Sequence, residues 1–337
     1  MIYRENYKDA DKYKMQYLNG IEALISKLSA GCEKKRDIYA KNILLNQEEY
    51  RKDFARLLGW PLTESVKREM PKVIVHKLSE EDGYSLCRVQ LEVLDGLILT
   101  GLLFKQHQEA AGPLVIAQHG YLGSPELIGG CYGITGNYND MVSRILAYGA
   151  HVFAPQLLLW STADYGVAYD RQVIDAKLKR VGSSITALEV FSIMRCIDYF
   201  ETQSWVRNIG MAGMSYGGFY TQFTAALDTR IKAAVSCSFF CDSRHYVQPD
   251  WCFDGIEEFF GEAEIACLVY PRKLYLEMGT EDPLFDYQKS LMEYERIRKI
   301  CGDDYLQWVE LTVFEGKHEF YREDTHIKKL LDCLCQE

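Results

Sequence analysis

Three residues far apart in the chain have the types and order needed to make an alcohol attack a carbonyl: Ser215, Asp282 and His318. A serine hydroxyl is a weak nucleophile at neutral pH, so an imidazole must take its proton during attack and return it to the leaving group. His318 is the candidate base. A carboxylate must hold that imidazole in one tautomer and stabilise its cation, which is the role assigned to Asp282. Ser215 lies in Gly213-Met214-Ser215-Tyr216-Gly217, between an apolar run and a helical pattern. Glycines on both sides of a serine suit a sharp strand-to-helix turn that holds the side chain exposed, because they leave room where a Cβ would collide. The pentapeptide also arises by accident, so its weight depends on the acid, the base and a second oxyanion donor being present in the right order.

The negative oxygen of a tetrahedral intermediate needs preorganised donors, each worth about 3 to 4 kcal/mol of barrier. The backbone N–H of Tyr216 directly follows the nucleophile, and the backbone N–H of Tyr121, in the loop beginning His119-Gly120-Tyr121, is the chosen second donor. Each assignment has competitors. Glu281 and Asp286 share a short loop with Asp282, and the strand-Gly-x-x-Asp spacing favours Asp282. His326 falls in a helical pattern from Thr325 to Leu334 and reads as a surface residue. His245 is out of order for the base but near enough to line a pocket. His119 reads as an organiser of its loop rather than a proton carrier, and His119, Trp160 and Tyr165 are assigned to substrate contact. His318 lacks the second histidine of a zinc-protease helix, and the cysteine spacings lack the paired two-residue gaps of a zinc site, so no metal is expected.

The elements that must position these residues follow from periodicity. From Cys87 the pattern has period two, with Cys87, Val89, Leu91 and Val93 on one face; Asp95-Gly96 then turns the chain into Leu97 to Phe104. Short apolar runs follow at Leu114 to Ala117, Val152 to Ala154, Ile209 to Met214, Ala233 to Ser236, Leu274 to Met278 and Val309 to Phe314. Helical stretches separate them, the clearest being Ser184 to Phe200, Phe219 to Leu227 and Tyr287 to Ile300. This alternation predicts an α/β fold: a mainly parallel twisted sheet with helices on both faces and antiparallel first strands. Ligands bind such sheets at the carboxyl ends of strands, where Ser215, Asp282 and His318 all fall.

Residues 1–70 read as an N-terminal helical extension and 71–337 as the catalytic domain. In the extension Tyr17, Ile21, Leu24, Ile25 and Leu28 share a helical stripe. A second helix is expected from Asn46, capped with Glu49 in a capping box, and ended by Gly59 and Pro61. The extension fits a packing appendage, an oligomer contact or part of the site rim, with packing favoured. Residues 156–182, which contain Trp160, Tyr165 and Tyr169, show no firm pattern and read either as a lid or substrate-contact insertion or as irregular surface packing.

At 337 residues, 48% hydrophobic and 26% charged, the chain has the composition of a globular protein, and no apolar run approaches the ~20 residues that span a bilayer. The polar N-terminus lacks a secretory pattern, so a cytoplasmic location is the default, and the eleven cysteines read as reduced, mostly buried thiols. A net charge of −10 argues against nucleic acid, which needs a basic face, and in favour of a neutral or cationic small substrate.

With those residues in place the chain resembles the bacterial acetyl-xylan-esterase-like and dienelactone-hydrolase-like branch of the α/β-hydrolases, related also to cephalosporin-C deacetylases. The resemblance runs from about Arg51 to His318. It is carried by Leu57-Leu-Gly-Trp-Pro61, His119-Gly120-Tyr121, Val152-Phe153-Ala154-Pro155, the segment Gly213 to Gly218, Ala226-Leu-Asp-Thr-Arg-Ile-Lys-Ala233, Gly279-Thr280-Glu281-Asp282 and Gly316-Lys317-His318. It implies hydrolysis of small acyl esters, often on sugars, by a serine esterase without a cofactor, with Tyr121 as an oxyanion donor. Met214 and Tyr216 stand at elbow positions that vary among relatives. A prolyl-oligopeptidase-like peptidase, whose usual propeller is missing here, and a non-catalytic binding protein on the same scaffold are the alternative readings. The expected partner is a small-molecule ester, with no nucleic acid or membrane, and a homo-oligomer is left open.

Overall fold

A computed structural model describes residues 5–63 and 69–336; residues 1–4 and 64–68 of the expected extension, and residue 337, lie outside the described residues. The strands are β1 (Val73–Glu80), β2 (Tyr84–Leu94), β3 (Leu97–Gln106), β4 (Gly112–Gln118), β5 (His151–Pro155), β6 (Val206–Met214), β7 (Ile231–Cys237), β8 (Lys273–Gly279) and β9 (Val309–Phe314). They form one sheet in the order β1-β2-β3-β5-β4-β6-β7-β8-β9. β1, β2 and β3 pair antiparallel, as do β3 and β5, and every pairing from β5 through β4 to β9 is parallel.

The helices are α1 (Asp11–Tyr39), α2 (Gln47–Leu58), α3 (Pro125–Ile128), α4 (Met141–Ala147), α5 (Arg171–Lys179), α6 (Ile185–Phe200), α7 (Tyr216–Leu227), α8 (Glu262–Cys267), α9 (Tyr287–Cys301) and α10 (Thr325–Cys335). They cover both faces of the sheet. One core joins α2, α6, α7 and α8 to one face, with Phe54, Phe200 and Phe223 among its largest side chains. The other joins α4 and α10 to the opposite face, through residues such as Ile145 and Leu330. Burial on both faces explains why β4 and β5 read as continuous apolar runs: every residue of each is buried.

Local expectations met the structure unevenly. The β2–β3 turn falls at Asp95-Gly96, with Gly96 at φ 73°, and Cys87, Val89, Leu91 and Val93 are all buried. β1 was not expected; most of its residues are exposed, so no alternation marked it. Asn46 does precede α2, but its side chain makes no cap. The tight turn before it places backbone carbonyls where a cap would act: Asn46 N–H donates to Asn42 O, and Glu49 and Tyr50 N–H to Asn46 O, at 3.0 to 3.3 Å. The stripe on α1 is helical as expected, yet it is not packed: Tyr17 is 75% exposed and Leu28 60%. Of the eleven cysteines, all free, five are buried, fewer than expected. Among the described residues no helix is long and apolar enough to cross a membrane.

Candidate active site

Pairing register brings the chemical residues to one rim. Met214, Cys237, Glu277 and Thr312 are successive partners across β6, β7, β8 and β9, so they form one row near the carboxyl ends of those strands. Ser215 stands one residue past that row. The loops bearing Asp282 and His318 leave the same edge.

Ser215 joins β6 to α7 at φ 59°, ψ −124°, a region that costs a non-glycine residue on the order of 1–3 kcal/mol. The surroundings impose it. Ser215 N–H donates to Cys237 O at 2.9 Å and Ser215 O accepts from Phe219 N–H at 2.9 Å. A Cβ on Gly213 would sit 2.3 Å from Gly217 O, and one on Gly217 would sit 2.0 Å from Gln118 O, so neither glycine of the pentapeptide can be replaced without moving backbone.

His318 Nδ1 donates to Asp282 Oδ2 at 2.8 Å, and the Asp282 side chain is fully buried. Asp282 Oδ1 accepts from Leu284 N–H at 2.8 Å and Phe285 N–H at 3.1 Å, which fixes the carboxylate plane, while the Phe285 ring stacks on the imidazole at 5.7 Å. The competing acids are occupied or turned away: Asp286 caps α9 by accepting from Gln288 N–H at 2.9 Å, and Glu281 is exposed. The turn after α3 contributes as well, since Asn137 Nδ2 donates to His318 O at 2.9 Å and Phe320 N–H to Asn137 O at 2.8 Å.

Ser215 and His318 open into one cleft of ≈ 750 Å³, which Tyr121, Tyr216 and Trp160 also line. The N–H groups of Tyr121 and Tyr216 donate to no other group among the described residues. Their rings meet at 5.8 Å. The loop carrying Tyr121 is held from beneath: Gly120 N–H donates to Tyr138 Oη at 2.8 Å, and His119 Nδ1 donates to Gly120 O at 3.0 Å. Leu157 N–H donates to His119 Nε2 at 3.3 Å, so both ring nitrogens are used and the ring is neutral; burial pushes its pKa down to about 4.

Two assignments to substrate contact are corrected here. His119 is fully buried under the loop and does not line the cleft, because its polar atoms are spent on Gly120 and Leu157. Tyr165 does not line it either; its hydroxyl pairs with Ser124 Oγ at 2.9 Å, the group that caps α3. Tyr169 lines the cleft instead, its ring tilted at 58° and 4.6 Å from that of Trp160. His245, expected near a pocket, is half exposed at 3.4 Å from Asp242, and His326, expected on the surface, is fully buried.

Sequence reasoning missed the cleft's far wall. Arg171, at the start of an α5 that no pattern announced, donates from Nε to Asp250 Oδ2 and from Nη2 to Glu189 Oε2, both at 2.8 Å, and to Tyr220 Oη at 2.6 Å. Tyr216 Oη donates to Asp250 Oδ1 at 3.0 Å, which ties the residue after Ser215 into this buried cluster; burial and the Asp250 charge hold its phenol well above the usual range. Glu189 also accepts from Leu158 N–H at 2.7 Å, so one guanidinium and two carboxylates fix both 157–171 and 249–251. Arginine, glutamate and aspartate scattered over eighty residues leave no spacing signal.

No family model matches the chain. It is 26% identical over 254 residues to the protein named "Putative hydrolase YtaP" of Bacillus subtilis (strain 168), covering 70% of this chain and 81% of that one. Among solved structures it is similar to a putative acetyl xylan esterase from Bacteroides fragilis NCTC 9343, with a TM-score of 0.65 and 18% identity over 83% of this chain and 77% of that one. A glucuronoyl esterase from Solibacter usitatus matches with a TM-score of 0.64 and 14% identity over 87% and 92% of the two chains. Acetyl xylan esterase 1 from Thermoanaerobacterium sp. JW/SL YS485 matches at 0.57 and 17%, over 86% and 94%. The sheet, its antiparallel opening and its strand order, set beside these neighbours, give this chain the α/β-hydrolase fold.

Proposed function

We propose that the protein is a serine carboxylic-ester hydrolase acting through an acyl-enzyme on small acyl esters, including acetyl-type esters of carbohydrates. The observation that carries this reading is the Asp282-paired imidazole of His318 opening into the same cleft as a serine held at positive φ. Ser215 Oγ attacks the ester carbonyl while His318 Nε2 takes its proton. The negative oxygen then accepts from the free N–H groups of Tyr121 and Tyr216. Collapse breaks the ester C–O bond, and His318 passes the proton to the departing alcohol oxygen. Water, deprotonated by His318, attacks the acyl carbon next; the acid leaves and the proton returns to Ser215. No step needs a cofactor.

A carbohydrate alcohol is supported by the lining, in which Trp160, Tyr169 and Tyr246 offer flat apolar faces beside Asn137, Gln172 and Gln248. Arg171 is fully engaged by the cluster, so the lining favours a neutral substrate over an anionic one. Residues 156–182 act in this reading as a substrate-contact wall on the 71–337 catalytic domain. Purified protein is expected to hydrolyse p-nitrophenyl acetate and to be labelled at Ser215 by a fluorophosphonate. Turnover or labelling that survives Ser215→Ala would refute the mechanism.

A further inference from the structure

We propose that α1 pairs antiparallel with α1 of a second copy of this chain, forming a two-fold dimer whose contact also fills a groove beside the cleft. Among the described residues the polar ties of α1 to residues 243–337 begin at Ser29: Ser29 Oγ donates to Glu257 at 2.6 Å, Lys35 pairs with Glu258 at 2.6 Å, and Arg36 is the one buried side chain of the helix. Ahead of that anchor Tyr17, Ile21, Leu24 and Leu28 are 75, 38, 54 and 60% exposed. Their spacings of four, three and four residues make a 3.5-residue repeat, the seam of a two-stranded coiled coil rather than the wider stripe of a helix packed on a globular core. A single monomer leaves that seam in water.

The seam reads the same from both ends, as a two-fold contact requires. About a centre between Glu22 and Ala23, Ile21 falls level with Leu24 of the second copy and Tyr17 with its Leu28. Farther out, Lys14 falls level with Gly31, where the missing side chain leaves room for the lysine stem. On one flank Leu18 meets Ile25 of the other copy, which accounts for the exposure of both; on the other, Lys27 passes Gly20. Antiparallel helices also bring each positive helix N-terminus beside the partner's negative C-terminus.

A second feature, which shares Leu28 with the seam, fits this register. Between α1 and residues 243–257 lies an apolar groove of ≈ 360 Å³, lined on the helix side by Leu28 and Cys32 and on the other by Val247, Trp251 and Ile256. The antiparallel register sets Tyr17 of the second copy level with Leu28 and its Leu18 against Ile25, which also lines this groove, so the partner's first turns lie along the groove's edge. Tyr246, Gln248 and Trp251 line both the groove and the cleft, so the dimer buttresses the cleft wall from outside.

Sedimentation velocity on the full chain at micromolar concentration should show a dimer, and Ile21→Glu with Leu24→Glu should raise its dissociation constant at least tenfold. Circular dichroism of that variant should be unchanged, because both side chains face water in the monomer. Tyr17→Cys with Leu28→Cys should give, on mild oxidation, a 17-to-28 link between copies, identified by peptide mapping. A wild-type monomer, a dimer that survives the double glutamate variant, or links joining 17 to 17 and 28 to 28 would each overturn the proposal.

Discussion

Two histidine–carboxylate pairs, whose carboxylates stand on β8 or on the loop that leaves it, have nearly the same internal geometry. In one, His318 Nδ1 meets Asp282 at 2.8 Å and the imidazole stacks on Phe285 at an interplanar angle of 27°. In the other, His326 Nδ1 meets Glu277 at 3.0 Å and the ring stacks on Tyr275 at 23°. What differs is the remaining nitrogen. His326, itself fully buried, has Nε2 3.3 Å from Thr312 and 3.4 Å from the partly exposed Glu310, whereas His318 opens into the cleft that Ser215 also lines. The carboxylate partner alone therefore does not single out His318 as the proposed general base; its place on a ligand-sized space does. His326–Glu277 is by the same argument a packing device that joins α10 to β8.

The sharpest break of this comparison is at the serine. Ser215→Ala should abolish turnover of p-nitrophenyl acetate, to below about 10⁻³ of wild type, and should leave the thermal midpoint unchanged or raised, since the strain at φ 59° is relieved by the change only if the elbow relaxes. Asp282→Asn comes next: the proposed mechanism expects kcat to fall by roughly 10⁴ through the wrong tautomer of His318. The matched change in the buried pair, Glu277→Gln, should instead cost about 1–3 kcal/mol in urea unfolding and leave kcat within a few-fold, because a buried partner of His326 is weakened away from the cleft. Equal losses of kcat at Asp282 and Glu277 would erase the distinction drawn here.

A third imidazole sharpens the point about burial. His119 has no carboxylate partner, and desolvation lowers its pKa to about 4, as it does for the buried His151. Unfolded histidine titrates near 6.5, so between about pH 6.5 and 4 the unfolded chain takes up protons that the native state refuses. Stability should be independent of these groups above pH 7 and should fall with acid through that window, by up to about 1.4 kcal/mol per pH unit for His119. Urea denaturation at pH 7.5, 6 and 5 measures the slope, and His151→Gln should make it shallower. The smallest expected effect is Tyr138→Phe, which removes the acceptor for Gly120 N–H and should cost about 1 kcal/mol together with a modest loss in kcat, through a looser Tyr121 loop.

The contrast between α7 and α5 explains what could be read in advance. The turn at Ser215 was legible because only glycine fits at positions 213 and 217, where a Cβ would overlap carbonyl oxygens, so steric necessity wrote itself into residue type. Core strands were legible because burial on both faces demands unbroken apolar runs. α5 was not, because it is held by Arg171 in an ionic cluster assembled from 171, 189 and 250, and pairing across that distance imposes no period on the sequence. β1 was hidden for the opposite reason: an edge strand with both faces largely wet needs no alternation.

By itself the amino-acid order determined the sheet from β2 onward, the β2–β3 hairpin that opens it, the strained corner and the chain positions from which an acid and a base could reach it, since each of these depends on local sterics or on the period of burial. Only the tertiary structure decided which histidine faces a cleft and which is sealed, why His119 and Tyr165 serve their loops rather than a ligand, and that the apolar seam of α1 meets no partner within its own chain. Those outcomes depend on which groups claim each other's polar atoms and surfaces across the fold, and a linear pattern records a side chain's preference for burial without recording what will bury it.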